Sequence, residues 1–450
     1  MVATQPTQRL GPIHLAPGIT RVNVATKLYG SFIAIAMLTG VSFLQAYLLT
    51  EHLGIPRSQQ GAVSGDLSFW TEIVAIFLFG PFGVLADRIG RRPVFVFGIT
   101  TIGIAYALFP FASSFSELLL YRMIFAIGMA ATAGTVATLT NDYPQERSRG
   151  KLIALSAIAA TLGTMLMAGV IGRIPDALSA RGYDAVTGGQ VMFLLAAALC
   201  VVTAVISRLG LKGGTPVAPR DRASTRKLLL SGLRAATNPR IALTYGANFA
   251  ARSDLVIKGM FLALWAIQAG QVIGLSPGQS MAKYGVILII MQITGLIATP
   301  FFGWFIDRVN RVTAAIVALT FASVGYISMA LITSPLDMRM LPYLIVLTLG
   351  STFMSKASLS LVGQEAPPRE RASIIATMSM CGALGVLTFS VLGGRLFDAM
   401  GPWAPFVAVG SFQALLLLCA IGIRIFAPGD DVLGNAAGAP PPGNNNQRGN

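Results

Sequence analysis

The sequence predicts an all-α integral membrane protein, with about twelve transmembrane helices in two pseudo-symmetric six-helix bundles. Three observations predict it. The chain is 54% hydrophobic and only 11% charged, where a soluble chain carries about a quarter charged residues. Its apolar residues fall in blocks long enough to cross a bilayer, which takes roughly 20 residues each. A charged turn joining two of these blocks, Gly83 to Arg92, returns in looser form at Gly303 to Arg311.

The first six span cores are 29–49, 63–85, 94–112, 118–139, 152–171 and 191–209. The second six are 241–267, 284–306, 313–332, 341–362, 373–392 and 405–426. They divide the chain into an N-terminal segment (1–28), a six-helix bundle (29–210), a basic linker (211–240), a second bundle (241–427) and a tail (428–450). The linker carries seven Lys and Arg against Asp221, and 225–235 is expected to form a basic helix on the membrane face. The tail, with Pro440 to Pro442 and Asn444 to Asn446, has the composition of a disordered segment. Residues 1–28 hold three prolines and no short apolar core with a cleavage site, so a cleaved signal peptide is not expected.

Net charge is +15, which by itself would suit nucleic acid. Its distribution argues against that partner. With both termini cytoplasmic, 23 Lys and Arg fall inside, 6 outside and 4 within spans, the asymmetry that orients membrane proteins. The surplus then also attracts anionic lipid. Cys200, Cys381 and Cys419 all lie in spans with no ligand spacing, which reads as packing and not as a disulfide or metal site. His14 and His52 are isolated. No metal site, phosphate loop or cofactor motif is evident, and no nucleophile and base cluster as an enzyme would need.

Three features repeat. The acid-basic turn recurs at an offset of 220. Tyr143 to Arg147 is echoed by Pro367 to Arg371 at 224. Gly172-Arg173-Ile174-Pro175-Asp176 is echoed by Gly394-Arg395-Leu396-Phe397-Asp398 at 222. Six spans per half give both halves one orientation, so these are parallel repeats about an axis along the membrane normal.

On these residues the chain resembles the major facilitator superfamily over roughly 25–428. The family's loop pattern G-x-x-x-D-R/K-x-G-R-R/K is matched at Gly83, Asp87, Arg88, Gly90, Arg91 and Arg92. Its fourth-span R-x-x-x-G-x-G is met at Arg122 and Gly128, with Ala126 for one glycine. The Gly-Pro motif of antiporters is absent from 161–172, although Gly163, Gly169 and Gly172 stand there. The resemblance implies a central cavity lined by spans one, four, seven and ten. It also implies a gate in which Asp87 braces the start of the eleventh span near Arg371. Asp307 would do the same near the fifth span, with Arg147 or Arg149 as partner. Arg88, Arg91, Arg92, Glu146, Arg308, Arg311 and Glu370 belong to the same charged turns. The plainer reading of the basic members is orientation alone.

Charges inside spans cost about 2.5 to 3.5 kcal/mol each on insertion scales, so each marks a pathway or a satisfied pair. Glu72, near mid-span, is the leading proton-coupling candidate; Asp66, nearer the outer end of the same span, and Asp254, in the seventh span, are the others. Asp254 and Lys258 lie one turn apart and can neutralise each other. Arg122, Arg252 and Lys356 are expected to converge on the cavity, where a carboxylate or phosphate would suit them. Alternatively Arg122 pairs with Glu72 or Asp66, and Lys356 snorkels to the inner face. Gln45, Asn248 and Gln292 are candidate substrate contacts. Trp265 and Trp403 read as interfacial anchors.

The function expected is secondary transport by alternating access, carrying a small organic anion with protons. An exporter of amphipathic compounds is the alternative; a membrane sensor or an enzyme on a transporter scaffold is an alternative of another class. The protein is expected to be a monomer in a bacterial inner membrane.

Overall fold

The computed structural model describes residues 8–214, 231–367 and 370–427. Twelve helices among them are long and apolar enough to cross a membrane. They are α1 Arg21–His52, α2 Arg57–Ile89, α3 Arg91–Phe111, α4 Phe115–Asp142, α5 Glu146–Ser179 and α6 Ala185–Gly210. The second six are α7 Pro239–Val272, α8 Pro277–Ile306, α9 Arg311–Leu331, α10 Met338–Glu365, α11 Ser373–Met400 and α12 Ala404–Phe426. The helices overrun the apolar cores. α1 begins eight residues before 29, which draws Lys27 into a span, and α2 begins at Arg57. Backbone groups in hydrocarbon must bond within the helix, so helices continue past the last apolar residue until water is reached.

Local chemistry explains where helices start and turn. Ser114, Asp184 and Ser276 accept N–H bonds from the first turns of α4, α6 and α8. Asp184 lies between spans, and the hydroxyl and N–H of Thr187 hold its carboxyl below the usual range. Gly90 parts α2 from α3 at φ 96°, a left-handed region that penalises other residues. A side chain there would also meet the Gly214 carbonyl at 2.7 Å.

The duplication is legible in packing. Within the first bundle α3 lies against α4, with Gly128 placed so that a Cβ would come 2.7 Å from the Gly98 carbonyl. Within the second, Gly350 of α10 meets the Ala322 backbone of α9 at 2.4 Å by the same measure. Gly128 and Gly350 stand 350 − 128 = 222 apart, the offset of the sequence repeats. Without a hydrophobic drive between helices in lipid, such close backbone approach supplies much of the association. Pro81 and Pro300 interrupt α2 and α8 at matching places, each removing one helical N–H bond.

Both described ends lie on one face, here the terminal face; the opposite one is the far face. The N-terminal segment is folded onto this face. Strands Arg9–Leu10 and Ile13–His14 form a hairpin. Ala16 N–H donates to the Tyr143 carbonyl at 2.9 Å, and Gln145 N–H to the His14 carbonyl at 2.9 Å, pinning it to the α4–α5 turn. Most of the expected basic helix 225–235, and the tail from 428, lie outside the described residues. Trp265 corrects its sequence reading. It is 4% exposed and packs 5.9 Å from the Phe406 ring, inside the second bundle and not at an interface.

Gly350→Val should lower the midpoint of thermal unfolding in detergent, through overpacking worth about 1–3 kcal/mol. Gly363→Ala, which meets nothing within 4 Å, should leave the midpoint unchanged.

Candidate functional site

Two pseudo-symmetric seams join the bundles near the far face, beside contacts of α1 and α2 with α7 such as Gln268 to Gln60 at 3.0 Å. Along the first, the Asp398 carboxylate of α11 accepts from Gly61 N–H at 2.9 Å and Ala62 N–H at 2.7 Å. An acid at the start of α2 also meets the favourable end of that helix's dipole. Asp66 pairs with Arg395 at 3.1 Å one turn deeper. A Cβ on Gly65 would stand 2.2 Å from the Ser390 carbonyl, so the backbones touch. The second seam is the pseudo-symmetric counterpart. A Cβ on Gly285 of α8 would meet the Ala168 carbonyl of α5 at 2.5 Å, and one on Gly278 the Asp176 N–H at 3.2 Å. The duplicated Gly-Arg-x-x-Asp motif is thus the far-face closure on both sides, a use that its repetition alone did not disclose.

Toward the terminal face the seams part. In α2 the buried residues run from Gln60 to Ala75, with only Ala86 beyond. Phe301 and Trp304 of α8 are exposed, as are Ile153, Leu155 and Ile158 of α5. Among the described residues the charged turns here make these pairs. Asp87 pairs with Arg91 at 3.6 Å, and Arg91 bridges α3 to α4 through Asp142 at 2.8 Å. Asp307 pairs with Arg311 at 3.4 Å, and Arg308 lies 4.0 Å from the Trp304 ring centroid. Glu146 holds Arg149 at 2.6 Å, and Arg147 donates to Gln145 at 3.2 Å. Arg371 donates to the Gly363 carbonyl at 3.1 Å, and the Glu370 backbone carbonyl accepts from Ile374 N–H at the start of α11. Arg88 and Arg92 complete the turn around Gly90. The pairs named here join groups of the same half.

Nearer the middle, a further ion pair crosses between the bundles. Glu72 of α2 and Arg252 of α7 stand 3.9 Å apart. Counting 1.5 Å per residue, each is about 20 Å from its helix start, near mid-membrane. Glu72 is 7% exposed. The separation permits ion pairing without a direct hydrogen bond. Glu72 Oε1 and Arg252 Nε are buried with no hydrogen-bond partner. Gly382 of α11 makes room for the guanidinium arm: a Cβ there would meet Arg252 Cδ at 2.3 Å and Asn248 Nδ2 at 2.5 Å.

Two turns along, Lys258 pairs with Asp254 at 3.7 Å and donates to Ser351 of α10. It lies in a wide turn of α7, Ile257–Phe261, with i→i+5 bonding of the kind that often marks functional sites. Asp254 and Lys258 do neutralise each other, as their spacing predicts.

Other expected site residues are dispersed. Arg122 pairs with neither Glu72 nor Asp66, which Arg252 and Arg395 occupy. It is 3% exposed, 5.4 Å from the Phe125 ring, and its Nε and Nη1 have no hydrogen-bond partner. Arg122, Arg252 and Lys356 do not meet at one depth. Arg122 lies about 10 Å from the far end of α4, Arg252 near the middle, and the exposed Lys356 about 14 Å from the terminal end of α10. By helix count they are staggered in depth, like rungs of a ladder. Gln45 is buried and donates to Ser64 at 3.1 Å and to the Met260 sulfur at 3.4 Å, a packing tie near the far side. Asn248 donates to the Met378 carbonyl at 2.7 Å, tying α7 to α11. Gln292 is half-buried at mid-α8. Lys27 was missed, because a basic residue before the apolar core reads as flank. Among the described residues no group of three or more His, Cys, Asp or Glu is arranged to hold a metal ion.

Residues 28–389 match the family model described as Major Facilitator Superfamily. The chain is 27% identical over 420 residues to the magnetosome protein MamH of Paramagnetospirillum magneticum, covering 89% of this chain and 94% of that one. It is 23% identical over 395 residues to the multi-drug resistance efflux pump PmrA of Streptococcus pneumoniae, covering 87% and 90%. The crystal structure of the nucleoside transporter NupG superposes with a TM-score of 0.70 at 15% identity, covering 90% of this chain and all of that one.

Asp398→Asn should loosen the far-face closure. With the native cysteines replaced and a cysteine at Ser42, labelling by an impermeant thiol reagent from the far face should rise. About 1.4 kcal/mol of lost closure would raise it roughly tenfold.

Proposed function

This chain belongs to the major facilitator superfamily, and from that premise we propose that it carries a small organic anion together with protons by alternating access. The carrying observation is the charge balance of the spans. Glu72 and Asp254 neutralise Arg252 and Lys258, while Arg122, Lys27 and Lys356 have no carboxylate within ion-pair distance among the described residues. Charge inside a membrane that no protein group matches favours a ligand of opposite sign. A carboxylate or phosphate moving down the ladder would meet a cation at each level.

Glu72 supplies the coupling. While its carboxylate faces Arg252 the guanidinium is engaged. An anion that takes Arg252 leaves Glu72 buried and unmatched, where a carboxyl gains a proton. Anion and proton then load together at one pair. Closed at the far face and parted at the terminal face, the conformation is read as inward-open, with both termini cytoplasmic in a bacterial inner membrane and the carrier a monomer. In the opposite state Asp87 and Asp307 would reach the starts of α11 and α5. The start of a helix favours an acid, which is what those two positions supply.

A second reading, proton-driven export of amphipathic compounds, is favoured by the similarity to the efflux pump PmrA along most of both chains. The test is uptake into proteoliposomes of labelled carboxylates and organophosphates, with and without a pH gradient. The anion reading expects accumulation that follows the gradient. Indifference to every anion, with transport of lipophilic cations, favours the exporter. Glu72→Gln should abolish gradient-driven accumulation while leaving anion exchange measurable. Arg252→Ala should raise KM about tenfold or more, the loss of one charge-assisted contact.

A further inference from the structure

We propose that Lys27, with Ser156 and Ser31, forms a second anion site at the seam of α1 and α5, on the terminal side of the central pair, taking a carboxylate or phosphate group. The proposal rests on the anion reading above and adds a station to it.

Lys27 is 2% exposed and sits about 9 Å into α1 from its terminal end. Its amine does not snorkel to the surface. It reaches sideways to the Ser156 hydroxyl of α5, seven residues past Arg149 and so about 10 Å deep as well. That hydroxyl is the only hydrogen-bond partner of Lys27 among the described residues, and no carboxylate lies within 4.0 Å. Ser156 in turn donates to the Leu152 carbonyl at 2.6 Å, so its proton is committed and its lone pair faces the amine. A buried ammonium held by one neutral oxygen lacks two of its three acceptors and all of its counter-charge.

Two further observations point to a ligand. Ser31 lies one turn beyond Lys27 on the same stripe of α1, and its Oγ is buried with no hydrogen-bond partner. It has a hydroxyl proton to give. Lys27 N–H and Ser31 O–H together offer donors and no negative group, which is the chemistry of an oxyanion site. The second observation is access. Ser156 is half-buried, and α5 is exposed on either side of it at Leu155 and Ile158. The same stripe of α1 continues to Ser42, which faces Gly259 of α7 at 3.8 Å from a Cβ placed there. By helix count the site lies nearer the terminal face than Arg252. An anion leaving the central pair toward the terminal face would reach Lys27 next, with Lys356 at similar depth on the other half.

The ligand can arrive as a free anion or as the headgroup of an anionic lipid entering between the parted bundles. The experiment separates these sources and also separates this site from the central one. Full-length Arg252→Ala protein, whose central site is disabled, is purified in neutral detergent free of lipid. Inorganic phosphate and citrate are titrated against its thermal unfolding. The same protein is then compared in nanodiscs of phosphatidylcholine with and without phosphatidylglycerol. Anion-dependent stabilisation is expected in at least one arm, and Lys27→Gln should weaken its apparent Kd about tenfold or more, as loss of a charged hydrogen bond implies. Lys27→Arg should retain it. Ser31→Ala, a milder change, should weaken it by less and leaves a measure if Lys27→Gln fails to fold. Stabilisation in detergent assigns a free anion, and stabilisation only with phosphatidylglycerol assigns a headgroup. No anion-dependent shift in either arm, or a shift indifferent to Lys27 and Ser31, overturns the site. Because the assay reads binding with Arg252 removed, that failure is distinct from a failure of anion transport, which the vesicle uptake reads.

Discussion

The Glu72–Arg252 pair is the interaction on which the rest of this structure turns. It joins the two bundles at mid-membrane, where an unmatched charge is expensive. It is also loose. At 3.9 Å it has ion-pair attraction without the hydrogen bonds that would lock it, and each partner keeps a buried atom unsatisfied. A tighter, fully bonded pair would hold the halves together whatever was bound. A loose one can be exchanged for a ligand or a proton at modest expense, which is what a carrier requires.

The geometry around the pair follows from duplication. Matching Gly-Arg-x-x-Asp motifs end α5 and α11, and each lies against the glycine-bearing start of the partner bundle's helix, α8 or α2. These contacts are short-range and close-packed, so they are either made or broken as a unit. At the terminal face Asp87–Arg91, Arg91–Asp142, Glu146–Arg149 and Asp307–Arg311 each tie groups of one bundle. The Glu72–Arg252 pair lies near the middle of these helices, and Asp66–Arg395 crosses between the bundles nearer the far face. Gly382 matters to the first of these two: it lets Arg252 lie across α11 toward α2, and a methyl there would displace the arm.

Much of this was legible in the sequence. Hydropathy set the number of helices, because a bilayer admits few other backbones. The offsets near 220 set the two-bundle plan, and they reappear as the Gly128 and Gly350 contacts. The pairing of Asp254 with Lys258 followed from helical spacing. The partners of Arg252 and Asp66 did not, since they lie on the other bundle and no local rule reaches across. Arg122 and Lys356 were placed together because sequence shows which span a residue is on but not its depth relative to another span. Lys27 was passed over because apolar blocks end before helices do. Trp265 was assigned to an interface by its place near a block's end, while the helix continues to Val272 and buries it against α12.

The proposed coupling loads an anion and a proton together at Glu72 and Arg252. Its most direct measurement is proton uptake by purified protein in weakly buffered detergent, on mixing with a carboxylate that the vesicles accumulate. Carboxylates are fully ionised at neutral pH and contribute no protons of their own. The native chain should take up about one proton per anion bound, by transfer to a desolvated carboxyl, and Glu72→Gln none. Anion binding without proton uptake, or uptake unchanged in Glu72→Gln, would contradict it.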